Sequence, residues 1–214
     1  MNTNVLIVGD SGSGKSSTFR NLDPKTTVVL NVERKDLPFR SFSKFKNINI
    51  KTYKEFSTLL KELQKDAKYK TVVIDSMTSL IEIIDKYCKA VYTGYSVWAE
   101  YNDLIWNTLQ DIKDLPQQVF VTAIPEFIEV KPNEYKAFAR VKAKEHKGGG
   151  IEKEFTIVLH TDLVEDDEGN ITDFRLDTRS NKHNSSKSPD GLFKERYIPN
   201  DAALIMEAIN EYYA

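Results

Sequence analysis

Cysteine is almost missing: Cys88 is the only one in 214 residues. No internal disulfide can form, so the fold must be held by packing. Cys88 itself falls in an apolar helical pattern, which reads as a packed thiol rather than a nucleophile. No apolar run approaches the roughly 20 residues that cross a bilayer. The opening residues carry neither the basic stretch nor the apolar core of a leader peptide. The expectation is therefore a protein with no membrane partner that stays in the cytoplasm, where it is made. Neither charge sign prevails, with Lys+Arg 30 against Asp+Glu 32. That balance excludes a globally basic nucleic-acid coat and leaves any polyanion contact to a local patch. The histidines His146, His160 and His183 are too dispersed for a metal centre. Arginine is sparse, and no lid-like cluster of it appears. Internal repeats and low-complexity segments are absent as well.

What is present is ordinary for a globular chain, 40% hydrophobic and 29% charged. The length suits one α/β domain over 1–214 rather than two. Its organising stretch is Gly9-Asp10-Ser11-Gly12-Ser13-Gly14-Lys15-Ser16, which meets G-x-x-x-x-G-K-[ST] at every fixed position. Before it, Asn4 to Val8 is a continuous apolar run suited to a buried parallel strand, and Lys15 to Leu22 after it can open a helix. In that setting backbone N–H groups wrap a phosphate at the positive end of a helix, with Ser17 in its first turn. Lys15 then reaches the β- and γ-phosphates and Ser16 offers its hydroxyl to Mg²⁺.

Downstream, strands and helices alternate. Thr26–Val32, Ile48–Lys51, Thr71–Asp75 and Val119–Ile124 read as strands. Thr52 and Glu55 form a capping box before a helix with Phe56, Leu59, Leu60 and Leu63 on one stripe. Two further amphipathic helices follow, one from Leu80 to Val91 and one through Trp98, Tyr101, Ile105, Leu109 and Ile112. Both tryptophans are assigned to packing. Phe39, Phe42 and Phe45 are spaced by three in a basic stretch, either as rings against the sheet edge or as a surface for single-stranded nucleic acid. Pro125 is read as the stop of its strand. Residues 127–153 are then lysine-rich, and Gly148-Gly149-Gly150 ends the basic part, which suggests a mobile excursion. Phe155–Leu159 and Ile171–Leu176 are strands joined by an acidic turn, and a helix from about Asp201 closes the chain. The fold class expected is a mostly parallel central sheet flanked by helices, with a C-terminal antiparallel hairpin extension.

In such a sheet the nucleotide lies at the C-terminal strand edge, so residues ending strands become candidates. Asp75 follows four apolar residues and suits the Mg²⁺ shell; a helix N-cap is the plainer reading. Glu33 ends the strand that comes next in sequence after the Gly-rich loop, where a carboxylate can polarise the attacking water; the plainer reading is an exposed pair with Arg34 or Lys35. Thr122 and Glu126, at the end of a later strand, are placed to sense the γ-phosphate.

Gly9 to Ser16, Val29 to Glu33, Val72 to Asp75 and Val119 to Glu126 together resemble the RecA-type recombinase core. Asn181 to Pro189 adds to the likeness, which is closest to the phage-encoded Sak-type ATP-binding proteins of recombination and single-strand annealing. The resemblance implies that ATP and Mg²⁺ are bound and that Lys15, Glu33 and Asp75 carry catalysis. It further implies that Thr122 or Glu126 couples nucleotide state to the next loop, and that Lys182 and Lys187 complete a neighbouring subunit's site. Partners implied are single-stranded DNA through 127–153, further copies in an oligomer or filament, and a single-strand-binding protein, in the host cytoplasm if the chain is phage-encoded. The chain departs from the family in lacking a separate DNA-binding domain and a Gln or His at the sensor position. Alternatives are a P-loop kinase of a small molecule or nucleotide, and a non-hydrolysing ATP-dependent loading factor. A GTPase is disfavoured because Asn184 stands where N-K-x-D requires Asp, and Thr78 where D-x-x-G requires Gly.

Overall fold

Short runs of β-branched and aliphatic residues, buried on both faces, make the centre of the molecule in this computed structural model, which describes residues 3–141 and 150–214. The strands are β1 (Val5–Val8), β2 (Thr27–Asn31), β3 (Lys46–Asn49), β4 (Thr71–Asp75), β5 (Gln118–Ala123), β6 (Pro125–Lys131), β7 (Glu134–Ala139), β8 (Ile157–Glu165), β9 (Ile171–Asp177) and β10 (Tyr197–Pro199). The helices are α1 (Tyr53–Leu63), α2 (Met77–Val91), α3 (Ser96–Lys113) and α4 (Ala202–Tyr212). Eight strands form one sheet in the order β10-β9-β8-β1-β5-β4-β2-β3. From β8 to β3 every pairing is parallel, while β9 runs antiparallel to both β8 and β10. A mainly parallel α/β sheet with an antiparallel C-terminal hairpin is thus what the sequence pattern builds. The acidic turn of that hairpin is closed by Asp166, whose Oδ1 accepts from the backbone N–H of Glu168 and Asn170, with Gly169 at φ 81°.

Two cores cover the sheet. On one face α1, α2 and α3 bury Phe56, Leu60, Ile84, Tyr101 and Ile105 against Leu6, Leu30 and Ile74. On the other, α4 and the segment after the Gly-rich loop bury Ile205, Ile209 and Phe19 against Val5, Val29 and Phe120. The capping box opening α1 is formed: Thr52 Oγ1 accepts from Glu55 N and Glu55 Oε2 accepts from Thr52 N, both at 3.2 Å. Phe45 is buried and stacks edge-on with Phe39. Of the two expectations for these rings, packing at the sheet edge is the one observed.

Three expectations change. The segment after the Gly-rich loop is a 3-10 helix, Ser16–Asn21, too short to contribute a large dipole, so anion binding there rests on the loop amides and Lys15. Pro125 does not end the sheet structure. It opens β6, which pairs antiparallel with β7 as a separate ribbon; proline is tolerated there because an edge strand does not need its missing N–H. Asn133 at φ 61° makes the turn. Part of the stretch read as a mobile excursion is therefore an ordered hairpin, while Lys142, Lys144, Lys147, Gly148 and Gly149 lie outside the described residues, as does His146. Finally, Trp98 is 54% exposed and packs through an edge-on contact with Tyr101, whereas Trp106 is partly buried against the core beneath the Lys153 ammonium.

Candidate active site

The Gly-rich loop leaves β1 at the C-terminal edge of the sheet and is fixed from outside its own sequence. Gly12 and Gly14 sit at φ 81° and 87°, a region that side-chain-bearing residues avoid. A Cβ at Gly14 would lie 2.8 Å from Asn200 Nδ2 and 2.9 Å from Phe174 Cδ1. Asn200, just before α4, donates to Gly14 O at 2.9 Å and accepts from the Thr18 hydroxyl. On the other flank Thr161 of β8 donates to Ser13 Oγ at 2.7 Å, and a Cβ at Gly9 would collide with the same threonine. Lys15 is buried, and its ammonium donates to Asp10 O at 2.7 Å across the mouth of the loop. Burial lowers its pKa, opposed by the carboxylates of Asp75, Glu33 and Asp10.

β5 inserts between β1 and β4, which sets Asp75 across from the loop. Its Oδ2 accepts from Ser16 Oγ at 2.8 Å and its Oδ1 from Thr122 Oγ1 at 2.5 Å. Burial pushes the Asp75 carboxyl up from the ordinary aspartate value, with the two hydroxyls pulling it back. A hydroxyl and a carboxylate side by side form an oxygen-only donor pair that fits a hard divalent cation such as Mg²⁺. The N-cap role belongs to the next residue, for Ser76 Oγ accepts from Ser79 N. Ser76 Oγ also donates to Glu33 Oε1 at 3.0 Å. Glu33 follows β2, reaches the same edge because its N–H bonds Asp75 O at 3.1 Å, and holds Lys35 at 3.4 Å. So the plainer reading of Glu33 as a surface ion pair is realised with Lys35, and the pair stands beside the Gly-rich loop and Asp75.

A cavity of about 310 Å³ opens between these groups, within the range of small-molecule sites, lined on one side by Gly12, Lys15, Ser16, Glu33 and Asp75. Ser11, Gly14 and Ser17 also line it, and Leu37, Pro38 and Phe174 form an apolar wall. Sequence reading missed Phe174, Asn200 and Thr161, which carry no local motif; the strands β8 and β9 bring Thr161 and Phe174 to the loop, and Asn200 reaches it from the turn between β10 and α4.

Other candidates fall elsewhere. Thr122 is wholly buried behind Asp75 and orients that carboxylate, with no surface towards the cavity. Glu126 lies on β6 opposite Phe138, outside the cavity lining. Lys182 is exposed, and the Lys187 backbone pairs with Val158; neither lysine lines the cavity of its own chain. Asn181 and Asn184 donate to Asp177 Oδ2 at 3.2 and 2.9 Å, so the near-match to the guanine motif is spent on closing its own loop.

Residues 1–189 match a family model described as an AAA domain. Among solved structures, the crystal structure of the RadB recombinase aligns with a TM-score of 0.46 at 16% identity, covering 77% of this chain and 76% of that chain. No curated protein matches the sequence.

Proposed function

The chain belongs to the AAA-domain family, and from that premise we propose that it is a Mg²⁺-dependent ATPase that works as an oligomer on single-stranded DNA, in recombination, annealing or repair. The observation that carries this reading is the placement of Glu33. Its carboxylate is fixed by Ser76 and Lys35 on the wall of the cavity that also holds Lys15, Ser16 and Asp75. A kinase binds an acceptor at that point, whereas a hydrolase needs a carboxylate to orient water and accept its proton.

In this reading the loop amides and Lys15 hold the β- and γ-phosphates, and the apolar wall of Phe174, Leu37 and Pro38 takes the base. Asp75 and Ser16 hold Mg²⁺, which when bound neutralises charge on the phosphate oxygens. Glu33 receives the proton of the attacking water. Thr122 keeps Asp75 aimed, and Glu126, leading into β6, passes the nucleotide state to the hairpin.

Lys131, Lys136 and Arg140 on and beside the hairpin belong to the 127–153 stretch that we assign to DNA. Lys182 and Lys187 are exposed and do not line their own cavity, which leaves them to the neighbouring subunit's site in this reading. The hairpin and the lysine loop are joined, since Ala137 N donates to His183 O at 2.8 Å and Lys136 Nζ to Ser180 Oγ at 2.9 Å. Within the RecA-type group we place the chain with the Sak-type proteins, in a host cytoplasm and with a single-strand-binding protein as a further partner.

ATP turnover measured with and without single-stranded DNA tests the proposal. DNA-stimulated hydrolysis that is lost in Lys15→Ala supports it, and DNA-independent phosphorylation of a small acceptor sinks it in favour of a kinase. For the lysine loop, Lys182→Ala subunits are mixed with wild-type ones. Activity of the mixture below the weighted mean is expected, and strictly proportional activity removes Lys182 from the neighbour's site.

A further inference from the structure

A second cleft adjoins the nucleotide cavity. It has a volume of about 520 Å³ and shares Glu33, Lys35 and Ile124 with it, so Glu33 stands in the wall between the two. Its other walls come from the turn after β2, the start of α1, the outer face of α2 and Arg140 beyond β7. Six cations line it, Arg34, Lys35, Lys51, Lys54, Lys86 and Arg140, against the two acids Glu33 and Glu82. All six are exposed. Among them Tyr53 and Tyr87 are half-buried with ring centroids 5.3 Å apart.

The backbone supplies an independent observation. Arg34 is held at φ 57°, a region in which glycine rests without strain. It is fixed there because Arg34 N donates to Asn31 Oδ1 and the buried Asn31 donates back to Lys35 O, each at 2.7 Å. The turn thus places a cation, at some conformational cost, where the backbone alone would favour glycine. Strain kept at such a position points to a use for the side chain.

We propose that this cleft binds a single strand of nucleic acid, with successive phosphates on Arg34, Lys51, Lys54, Lys86 and Arg140 and a base against the Tyr53–Tyr87 pair. The inference rests on reading the chain as a DNA-dependent ATPase and extends the strand's path from the hairpin stretch, through Arg140, into the cleft. A single phosphorylated acceptor is satisfied by one or two cations. Six, spread over four segments of chain, match the repeated charges of a polyanion, and the tyrosines give a sequence-tolerant stacking surface. Because Lys35 lines both cavities and holds Glu33, strand phosphates drawing on Lys35 release the carboxylate towards the nucleotide side. Occupancy of the cleft is thereby linked to water activation.

Fluorescence anisotropy of a labelled oligothymidylate, titrated with the full chain between about 50 and 200 mM salt, tests the assignment. The variants are Arg34→Gly, the double Lys54→Ala/Lys86→Ala, and the hairpin double Lys131→Ala/Lys136→Ala. The cleft double is expected to weaken binding roughly tenfold or more and to lower the salt slope by about 1.4, at about 0.7 per lost contact on a single strand. Lys54→Arg/Lys86→Arg is expected to restore both, which separates charge from misfolding, and Arg34→Gly weakens binding without lowering the unfolding midpoint. Wild-type binding in both cleft variants with loss in the hairpin double overturns the cleft and leaves the ATPase reading standing. No oligothymidylate binding by the wild type at any salt overturns both. Phosphorylation of a deoxynucleoside monophosphate, lost in the cleft variants, overturns the strand in favour of an acceptor.

Discussion

His160 shows how one buried side chain sets a property of the whole protein. It packs on β8 with Nε2 3.0 Å from Ser185 Oγ, and burial lowers its pKa from 6.5 to about 4 despite the nearby Asp177. The unfolded chain therefore takes up a proton at a higher pH than the native one. Stability from this residue is complete above pH 6.5 and is lost as the pH falls towards 4, by about 3 kcal/mol in all. Carboxylates held low by a basic partner, such as Glu154 beside Lys113, act in a more acidic window. Urea unfolding of His160→Gln is expected to flatten the curve between these two values, and an unchanged slope would show that His160 is not the titrating group. At this scale the Gly-rich loop, Asp75 and Glu33 were legible, because spacing and strand ends identify them. Thr122 was legible as a candidate but not in its orientation: the same β5 position that brings it near the site turns its hydroxyl onto Asp75.

Among the elements, the Gly-rich loop depends on distant segments. Asn200, 186 residues from Gly14, bonds the carbonyl of that glycine and the hydroxyl of Thr18. Asn200→Ala removes one partner from each, while Gly14 O keeps the Thr18 N–H and hydroxyl as donors; the expected loss is about 0.5–1.5 kcal/mol with weaker ATP binding. Thermal unfolding with a fluorescent ATP analogue checks both effects, and full affinity in the variant would show that the loop holds its shape alone. The capping box of α1 was readable from four residues because its partners are local. The β6–β7 ribbon was not. Phe127-Ile128-Glu129 does not alternate between apolar and polar, and its pairing with Tyr135-Lys136-Ala137 appears only when both strands are laid together. The 3-10 turn after the loop is likewise tied to distant segments, with Asn200 bonded to Gly14 O and Phe19 sharing a core with Ile205 and Ile209 of α4.

For the whole molecule, the sheet order decides the chemistry. Placing β5 between β1 and β4, with β2 beyond, lines up the Gly-rich loop, Asp75 and Glu33 along one edge although they lie far apart in sequence. Alternating strands and helices made the parallel sheet foreseeable. The order of its strands was foreseeable only in so far as the acidic residues needed to meet the loop. The basic cleft could not be read at all, since Arg34, Lys54, Lys86 and Arg140 come together from separate segments. The ATPase reading depends on Glu33 acting on water beside a bound nucleotide. The direct measurement is single-turnover ATP hydrolysis in Mg²⁺ by Glu33→Gln, alongside equilibrium ATP binding by the same variant. Binding close to wild type with hydrolysis slower by about 10²–10⁴-fold is the expected result. Hydrolysis within a few-fold of wild type would contradict it and leave Glu33 as no more than the partner of Lys35 and Ser76.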